Sequence, residues 1–139
     1  MPWSDDFSVG LPDIDAQHRY FLEMIEKVDD IIKSGVDRRY LQPTLQELAR
    51  YARYHFATEN MLMGLYDFPE RDRHMAEHDA ILRVLERHEG GAEPPAKLRM
   101  FLYKWFVAHT TLEDKRLADH VSWNREHQDG WGAIEAKAV

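Results

Sequence analysis

Two short segments near the middle of the chain each place a pair of potential metal ligands four residues apart. The first pair is His55 and Glu59, and the second is His74 and His78. Residues four apart lie on one face of an α-helix, one turn from each other, so each pair can direct two ligand atoms at one point. Residues 64–69, GLYDFP, carry the glycine and proline of a turn. The pattern predicts an antiparallel helical hairpin that brings three imidazoles and one carboxylate together.

The composition limits both the site and its partners. The 139 residues suit a single domain, 1–139, and because there is no cysteine, any metal must be held by histidine, aspartate and glutamate. These ligands suit iron, zinc, copper or nickel. A net charge of -7 argues against binding to nucleic acid or anionic membranes, and the longest strongly apolar run, residues 105–108, is far too short to span a bilayer. With no signal-peptide pattern at the N-terminus, we expect a cytoplasmic protein without membrane insertion.

Apolar residues recur at spacings of three and four in four segments, which predicts four amphipathic helices. The first helix is expected to begin near Asp13 or Asp15, either of which could cap it. Short connections favour an all-α, up-down-up-down four-helix bundle. We expect an extended N-terminal arm over residues 1–14, the bundle over about 15–120, and a C-terminal tail over 121–139.

Six metal-ligating side chains fall on the apolar seams of these helices, and every helix contributes at least one. A single histidine on an apolar face is usually an ordinary core residue. Five histidines on four facing seams would each need a buried hydrogen-bonding partner, and their neighbours are mostly aliphatic or aromatic. The six residues are His18, His55, Glu59, His74, His78 and His109.

A seventh ligand, Asp114, requires a distorted helix. It follows His109 by five residues, which corresponds to about 140° further round an ideal α-helix than the seam. A π-type turn, in which five residues make about one turn, would restore it to the same face. We therefore predict a local distortion between Thr110 and Asp114; an undistorted helix would remove Asp114 from the site.

Five imidazoles and two carboxylates exceed what one tetrahedral zinc ion needs. Two metals that share Glu59 and Asp114 as bridges, together with one solvent-derived oxygen, would each have three oxygen ligands. Three imidazoles then complete one metal at six-coordinate, whereas two leave the other at five. The odd number of histidines therefore predicts one open position for a small exogenous ligand.

The ordered set of ligands resembles the hemerythrin family, and its bacterial single-domain members, the bacteriohemerythrins, most closely. The family pattern is one histidine on the first helix, followed by HxxxE, HxxxH and HxxxxD on the next three. The likeness extends from about Trp3 to His120. The matching residues are His18, His55 with Glu59, His74 with His78, and His109 with Asp114.

The resemblance implies a non-haem diiron centre (Fe2+/Fe3+) with a bridging oxo or hydroxo group that binds dioxygen reversibly. It implies a carrier for oxygen storage, delivery or scavenging rather than an enzyme, with dioxygen and an unidentified oxygen-using client as partners and a monomeric state favoured. By position, the six-coordinate iron would be held by His74, His78 and His109, the iron with the open position by His18 and His55, and both by the bridging Glu59 and Asp114.

Other functions remain open at this point. The domain could sense dioxygen or redox state through a separate partner, or act as a diiron peroxidase or a nitric oxide-consuming enzyme. Residues 74–78 also fit the HxxEH pattern of zinc peptidases. That interpretation leaves the other ligands unexplained, so Glu77 is expected to be a solvated surface charge.

The expected pocket departs from the family at one point. The residues between the fourth-helix histidine and the aspartate are largely apolar in the family, but here they include Thr110 and Thr111. An inward threonine hydroxyl could admit water and speed autoxidation. Candidates for the apolar wall are Phe21, Leu22, Phe56, Trp105 and Phe106. Candidates for outer partners or an electron path, with ordinary packing as the commoner role, are Tyr20, Tyr51, Tyr54 and Tyr103.

Overall fold

The predicted helices form, and they are joined as a bundle. A computed structural model describes residues 2–35, 38–91 and 94–138, and within these residues there is no strand, so the all-α fold is confirmed. Since α4, the π-helical turn and α5 follow one another without a break, they form one long fourth rod. In chain order, the elements are a 3-10 helix Asp5–Phe7, α1 Pro12–Ser34, α2 Arg38–Leu65, α3 Arg71–Glu89, α4 Pro95–Ala108, the π-helical turn His109–Asp114, and α5 Lys115–Ala138.

The packing partners of the helices follow the predicted up-down-up-down order. Helix α2 packs against α1 and α3, and α1 packs against α4. The face of α2 on which residues recur every three or four positions is buried along its whole length, from Leu41, which is 5% exposed, through Leu45, Leu48 and Ala52 to Leu62, which is 8% exposed. Among the helices of the described residues, none has the length and apolar character that crossing a membrane requires.

The core is divided into two apolar clusters along the bundle axis. One cluster contains Phe21, Leu48 and Phe106, and the other contains Met63 and Val121. On α1, His18 lies between Ile14 of the second cluster and Phe21 of the first, and on the fourth rod His109 and Asp114 lie between Phe106 of the first and Leu117 of the second. The ligands therefore form one polar layer with apolar layers on both sides, which shields the layer from water.

The N-terminal arm is shorter than predicted. Helix α1 begins directly after Leu11, with a proline at its first position, where the fixed φ of proline suits a helix start. Neither Asp13 nor Asp15 is the N-cap, so that prediction is wrong. The carboxylate of Asp15 instead accepts hydrogen bonds from the Ser8 hydroxyl and the Val9 N–H, both at 2.7 Å, which ties the arm to α1.

The segment predicted as a C-terminal tail is helical over the described residues, because α5 continues from Lys115 to Ala138. Its first turns are held by Val121, which is fully buried in the second cluster. Residues 122–138 lack an apolar period but also lack proline, so a helix that is anchored at 115–121 can propagate. Val139 lies outside the described residues.

Candidate metal centre

All seven predicted ligands converge in the polar layer, and none is more than 4% exposed. Their ligand atoms form two overlapping groups, and within each group all the atoms lie within 4.8 Å of one another. Glu59 and Asp114 belong to both groups. The histidines of one group are His74, His78 and His109, and those of the other are His18 and His55.

The hairpin of α2 and α3 surrounds Glu59 with imidazoles. One turn earlier on α2, His55 places its Nε2 3.1 Å from Glu59 Oε2. From α3, the Nε2 atoms of His74 and His78 lie 3.2 and 2.8 Å from Glu59 Oε1. The two i, i+4 pairs therefore meet as the sequence predicts, with the carboxylate between them.

The predicted distortion after His109 is confirmed. Residues His109–Asp114 form a π-helical turn, which brings Asp114 back to the face of His109 and buries both side chains. The Oδ1 atom of Asp114 lies 3.1 Å from His109 Nε2 and 3.2 Å from His74 Nε2, while Oδ2 lies 2.8 Å from His18 Nε2. One carboxylate thus reaches histidines of both groups.

Several of these buried ligand atoms lie close to an oppositely charged group, but they do not form a hydrogen bond with it. They are the Nε2 atoms of His18, His78 and His109, Oε2 of Glu59, and both oxygens of Asp114. Buried polar atoms are rarely left unpaired in proteins. Lone pairs that point into a shared space without pairing fit a metal ion, and nitrogen and carboxylate oxygen together suit a transition metal.

Both central carboxylates stay ionised. Burial by itself raises the pKa of Glu59, but the surrounding imidazoles, His55 first, hold it well below its usual range. Burial and the charge of Glu59 would raise the pKa of Asp114, but His109 and His18 outweigh them and lower it. The site therefore keeps two negative charges for its cations.

Without metal, protons on the histidines balance these carboxylates. Burial alone lowers the pKa of an imidazole, but the carboxylates of Asp114 and Glu59 outweigh it and raise the pKa of both His18 and His74 to about 9. The pKa of His78 is lowered, because burial and neighbouring imidazoles outweigh Glu59. Metal ions would replace the bound protons, since a coordinating imidazole must be neutral.

Three ligand histidines have an acceptor for Nδ1 on the adjacent helix, and two of these acceptors are side-chain amides. The Nδ1–H of His55 donates to the side-chain oxygen of Gln17 at 2.7 Å, and that of His78 donates to Asn60 at 3.1 Å. Such partners fix the tautomer and the ring orientation of a metal ligand. Both acceptors are chain neighbours of a ligand on their own helix, a signal that could have identified them in the sequence.

Glu77 is the third acceptor, although the sequence predicted it to be a solvated surface charge. This residue precedes a ligand on α3, and its Oε2 lies 3.4 Å from Nδ1 of His109 on the fourth rod. Its other oxygen is paired with Arg73 at 3.2 Å. Glu77 is therefore a partner of a candidate ligand instead of a purely solvated charge.

Aromatic rings cover the site on the side of the first apolar cluster. Phe56 stacks on His78 with ring centroids 4.0 Å apart, and Trp105 stacks on His109 at 4.8 Å. Trp105 is only half-buried, because it also lines a surface groove. The other predicted wall residues, Phe21, Leu22 and Phe106, are each 1% exposed.

The remaining histidines in the described residues lie outside both ligand groups. His120 donates from Nε2 to the carbonyl oxygen of Tyr66 at 2.6 Å, and His127 donates from Nδ1 to the carbonyl of Trp123 at 2.7 Å. His88 is buried in the last turn of α3. These three histidines therefore have environments that are separate from the candidate metal centre.

Residues 9–121 match the family model described as "Hemerythrin HHE cation binding domain". The chain belongs to the hemerythrin family. It is 31% identical to a bacteriohemerythrin of Stenotrophomonas maltophilia (strain R551-3), over 94% of this chain and 90% of that protein. It is 28% identical to a bacteriohemerythrin of Pseudomonas aeruginosa (strain LESB58), over 87% of this chain and 81% of that protein.

A solved hemerythrin shares the fold. The crystal structure of wild-type hemerythrin matches with a TM-score of 0.79 and 27% identity, and the match covers 88% of this chain and 98% of that one. The resemblance seen in the sequence is therefore confirmed. The histidine and carboxylate cluster fits the cation site that the hemerythrin family description names.

Proposed function

We propose that this protein binds dioxygen reversibly at a non-haem diiron centre, for storage, delivery or scavenging. The observation that carries the proposal is the position of Glu59 and Asp114, which are shared by a group of three histidines and a group of two. A centre that is built this way has unequal sides, and the side with two histidines has room for a further ligand. When bound, iron supplies the redox-active position at which a small ligand such as dioxygen can attach.

Each ligand has a proposed role. Glu59 and Asp114 bridge two iron ions, together with an oxo or hydroxo group. One iron is held by His74, His78 and His109, and the other, with the open position, by His18 and His55. These assignments are supported by the two groups of converging atoms and by the unpaired lone pairs among them.

The other residues of the site keep the bound ligand from water. Phe21, Phe56 and Phe106 close the layer on one side, and none is more than 2% exposed. Gln17 and Asn60 hold the imidazoles of His55 and His78 in orientation through their Nδ1 atoms. A dry, fixed pocket favours binding and release over side reactions. We therefore propose a carrier instead of an enzyme; the cytoplasmic location, the monomeric state and the oxygen-using client stay predictions.

The test is an optical spectrum of the iron-loaded, reduced protein before air, after air, and after oxygen is removed. A visible charge-transfer band that appears with air and fades without it supports the proposal. Immediate, irreversible conversion to an oxidised spectrum would overturn it. The variant Asp114→Asn should lose iron and the band, whereas Asp119→Asn, at an exposed position further along the fourth rod, is the matched control and should retain both.

A further inference from the structure

Three tyrosine side chains form a cluster that extends from the surface into the first apolar cluster. Tyr20 and Tyr54 are 50% and 59% exposed, and Tyr51 is half-buried between them. The ring centroid of Tyr51 lies 4.6 Å from that of Tyr20 and 5.8 Å from that of Tyr54. We call these residues the tyrosine cluster.

The tyrosine cluster is connected to a proposed ligand in two ways. The Tyr51 hydroxyl donates to the backbone carbonyl of Gln17 at 3.1 Å, and the side chain of Gln17 accepts from His55 Nδ1 at 2.7 Å. In addition, the ring of Phe21 lies 6.1 Å from Tyr51 and 6.0 Å from His55. Hydrogen bonds and ring contacts therefore join the surface to the metal layer without a gap.

Phenols in this arrangement can pass oxidising equivalents outward. A tyrosine that loses one electron must also lose its phenolic proton to become a neutral radical. Tyr20 and Tyr54 can release that proton directly to water because they are exposed. Tyr51 contacts both outer rings and is connected to His55 through Gln17 and Phe21, so it is placed to relay electrons while the two outer rings are the ones finally oxidised.

We propose that the tyrosine cluster carries oxidising equivalents from the metal centre to the surface when the centre meets hydrogen peroxide, an inference that rests on the proposed function. When the irons are already Fe3+ and have no electrons to give, the O–O bond of the peroxide breaks with two electrons and two protons that come from the phenols of Tyr20 and Tyr54, which yields two water molecules and two neutral tyrosyl radicals. A thiol or ascorbate-type reductant then returns one hydrogen atom to each radical. The buried ligands and core aromatic residues escape oxidation.

The main alternative route is Trp105, which stacks on His109 and lines a surface groove. Tryptophan is also readily oxidised, so the two routes make different products. Oxidation that is located on Tyr20 and Tyr54 supports the tyrosine cluster. Oxidation that is located on Trp105 instead overturns it.

The experiment first records the oxygen-dependent spectrum of the iron-loaded protein, and then adds hydrogen peroxide to the fully oxidised (Fe3+) form and freezes it. Electron paramagnetic resonance detects tyrosyl radical, and peptide mass spectrometry locates the oxidised residues. We expect Tyr51→Phe to lose the radical at Tyr20 and Tyr54. Tyr103→Phe is the matched control, because Tyr103 is also half-buried but donates its hydroxyl to Asp29, and it should behave like the parent.

The outcomes separate the two proposals. An oxygen-dependent band without tyrosyl radical overturns the tyrosine cluster and leaves the dioxygen carrier intact. Radical that depends on Tyr51 without a reversible band supports the tyrosine cluster and overturns the carrier. If both are absent, both proposals fail. Thermal unfolding of Tyr51→Phe and Tyr103→Phe by circular dichroism shows that each variant is folded.

Discussion

The Oε2 atom of Glu77 lies 3.4 Å from Nδ1 of His109, so a carboxylate on α3 faces the back of a candidate ligand on the fourth rod. The other two imidazoles with an acceptor at Nδ1, those of His55 and His78, face neutral amides instead. A carboxylate makes its imidazole a stronger electron donor than an amide does. The group of three histidines therefore includes an imidazole with a charged partner, whereas the partner of His55 in the group of two is a neutral amide.

Glu77→Gln should weaken metal retention, because the amide keeps the size of the side chain but removes its charge. We expect a loss of iron affinity of about 10- to 100-fold, typical of partners behind a metal ligand. Competition with a chelator measures it. Glu70→Gln is the matched control, since Glu70 is half-buried like Glu77 and also pairs with Arg73, at 2.6 Å, but its carboxylate has Arg116 as its other partner instead of a candidate ligand. Equal affinities for the two variants would contradict a role for Glu77.

Metal binding should release protons at neutral pH. With the pKa of His18 and His74 raised to about 9, both imidazoles carry a proton at pH 7 in the metal-free protein, and both must lose it to bind iron. Iron affinity should therefore rise from pH 7 to pH 9. Calorimetry of Fe2+ binding without oxygen, in buffers with different ionisation enthalpies, counts the protons. Binding without proton release at pH 7 would show that the imidazoles are already neutral.

More of the site could be predicted from the spacing of the ligands in the sequence than from the periodicity of the apolar residues. Because His109 and Asp114 are five residues apart, both can face inward only if the helix is distorted, and the π-helical turn follows. The same turn explains an error in the seam of the fourth helix. Leu112 follows His109 by three residues and so continues the apolar spacing of the fourth helix, but it is 60% exposed, since the extra residue per turn rotates it outward.

Other features depended on contacts that no local pattern contains. Asp15 resembles a helix cap, but proline at the first position of α1 starts the helix earlier and leaves the carboxylate free to bind the arm. The position of Glu77 depends on how α3 faces the fourth rod. The length of α5 depends on its anchoring by Val121, because the residues beyond it have no apolar period.

A buried charge network in α1 and α4 should make stability depend on pH. Asp29, which is 5% exposed, is hydrogen-bonded to Arg99 and paired with Lys33 at 3.0 Å. Burial by itself raises the pKa of Asp29, but the two cations outweigh it and lower the pKa. Because the folded pKa lies below the unfolded one, the contribution to stability is present above about pH 4 and is lost as the pH falls through the folded value.

Asp29→Asn should therefore reduce the free energy of unfolding at pH 7 by about 1–2 kcal/mol, a modest value because both cations are about half-exposed. The deficit relative to the parent should shrink as the pH falls below 4. Urea unfolding at pH 7 and at pH 3 measures both values. The exposed neighbour Asp30 provides the control, Asp30→Asn, which should change little. A deficit that persists at pH 3 would point to packing instead of charge.

Thr110 places a hydroxyl group directly after His109 in the π-helical turn, and its side chain is only 2% exposed. Thr111 differs, because its hydroxyl donates to the carbonyl of Val107 at 2.7 Å and so already has a partner in its own helix. Of the two threonines that the sequence indicated, Thr110 is therefore the one placed to bring water or a hydrogen bond near the site. We expect its removal to slow autoxidation.

The measurement is the rate at which the oxidised form accumulates in air after iron loading and reduction. Thr110→Val keeps the shape and removes the hydroxyl, whereas Thr110→Ile adds a methyl group that could strain the core by about 1–3 kcal/mol. Both should oxidise more slowly than the parent, and the control Thr111→Val should not. If only the isoleucine variant slows, bulk excludes water and the hydroxyl is irrelevant. If neither slows, water reaches the centre by a route that does not pass Thr110.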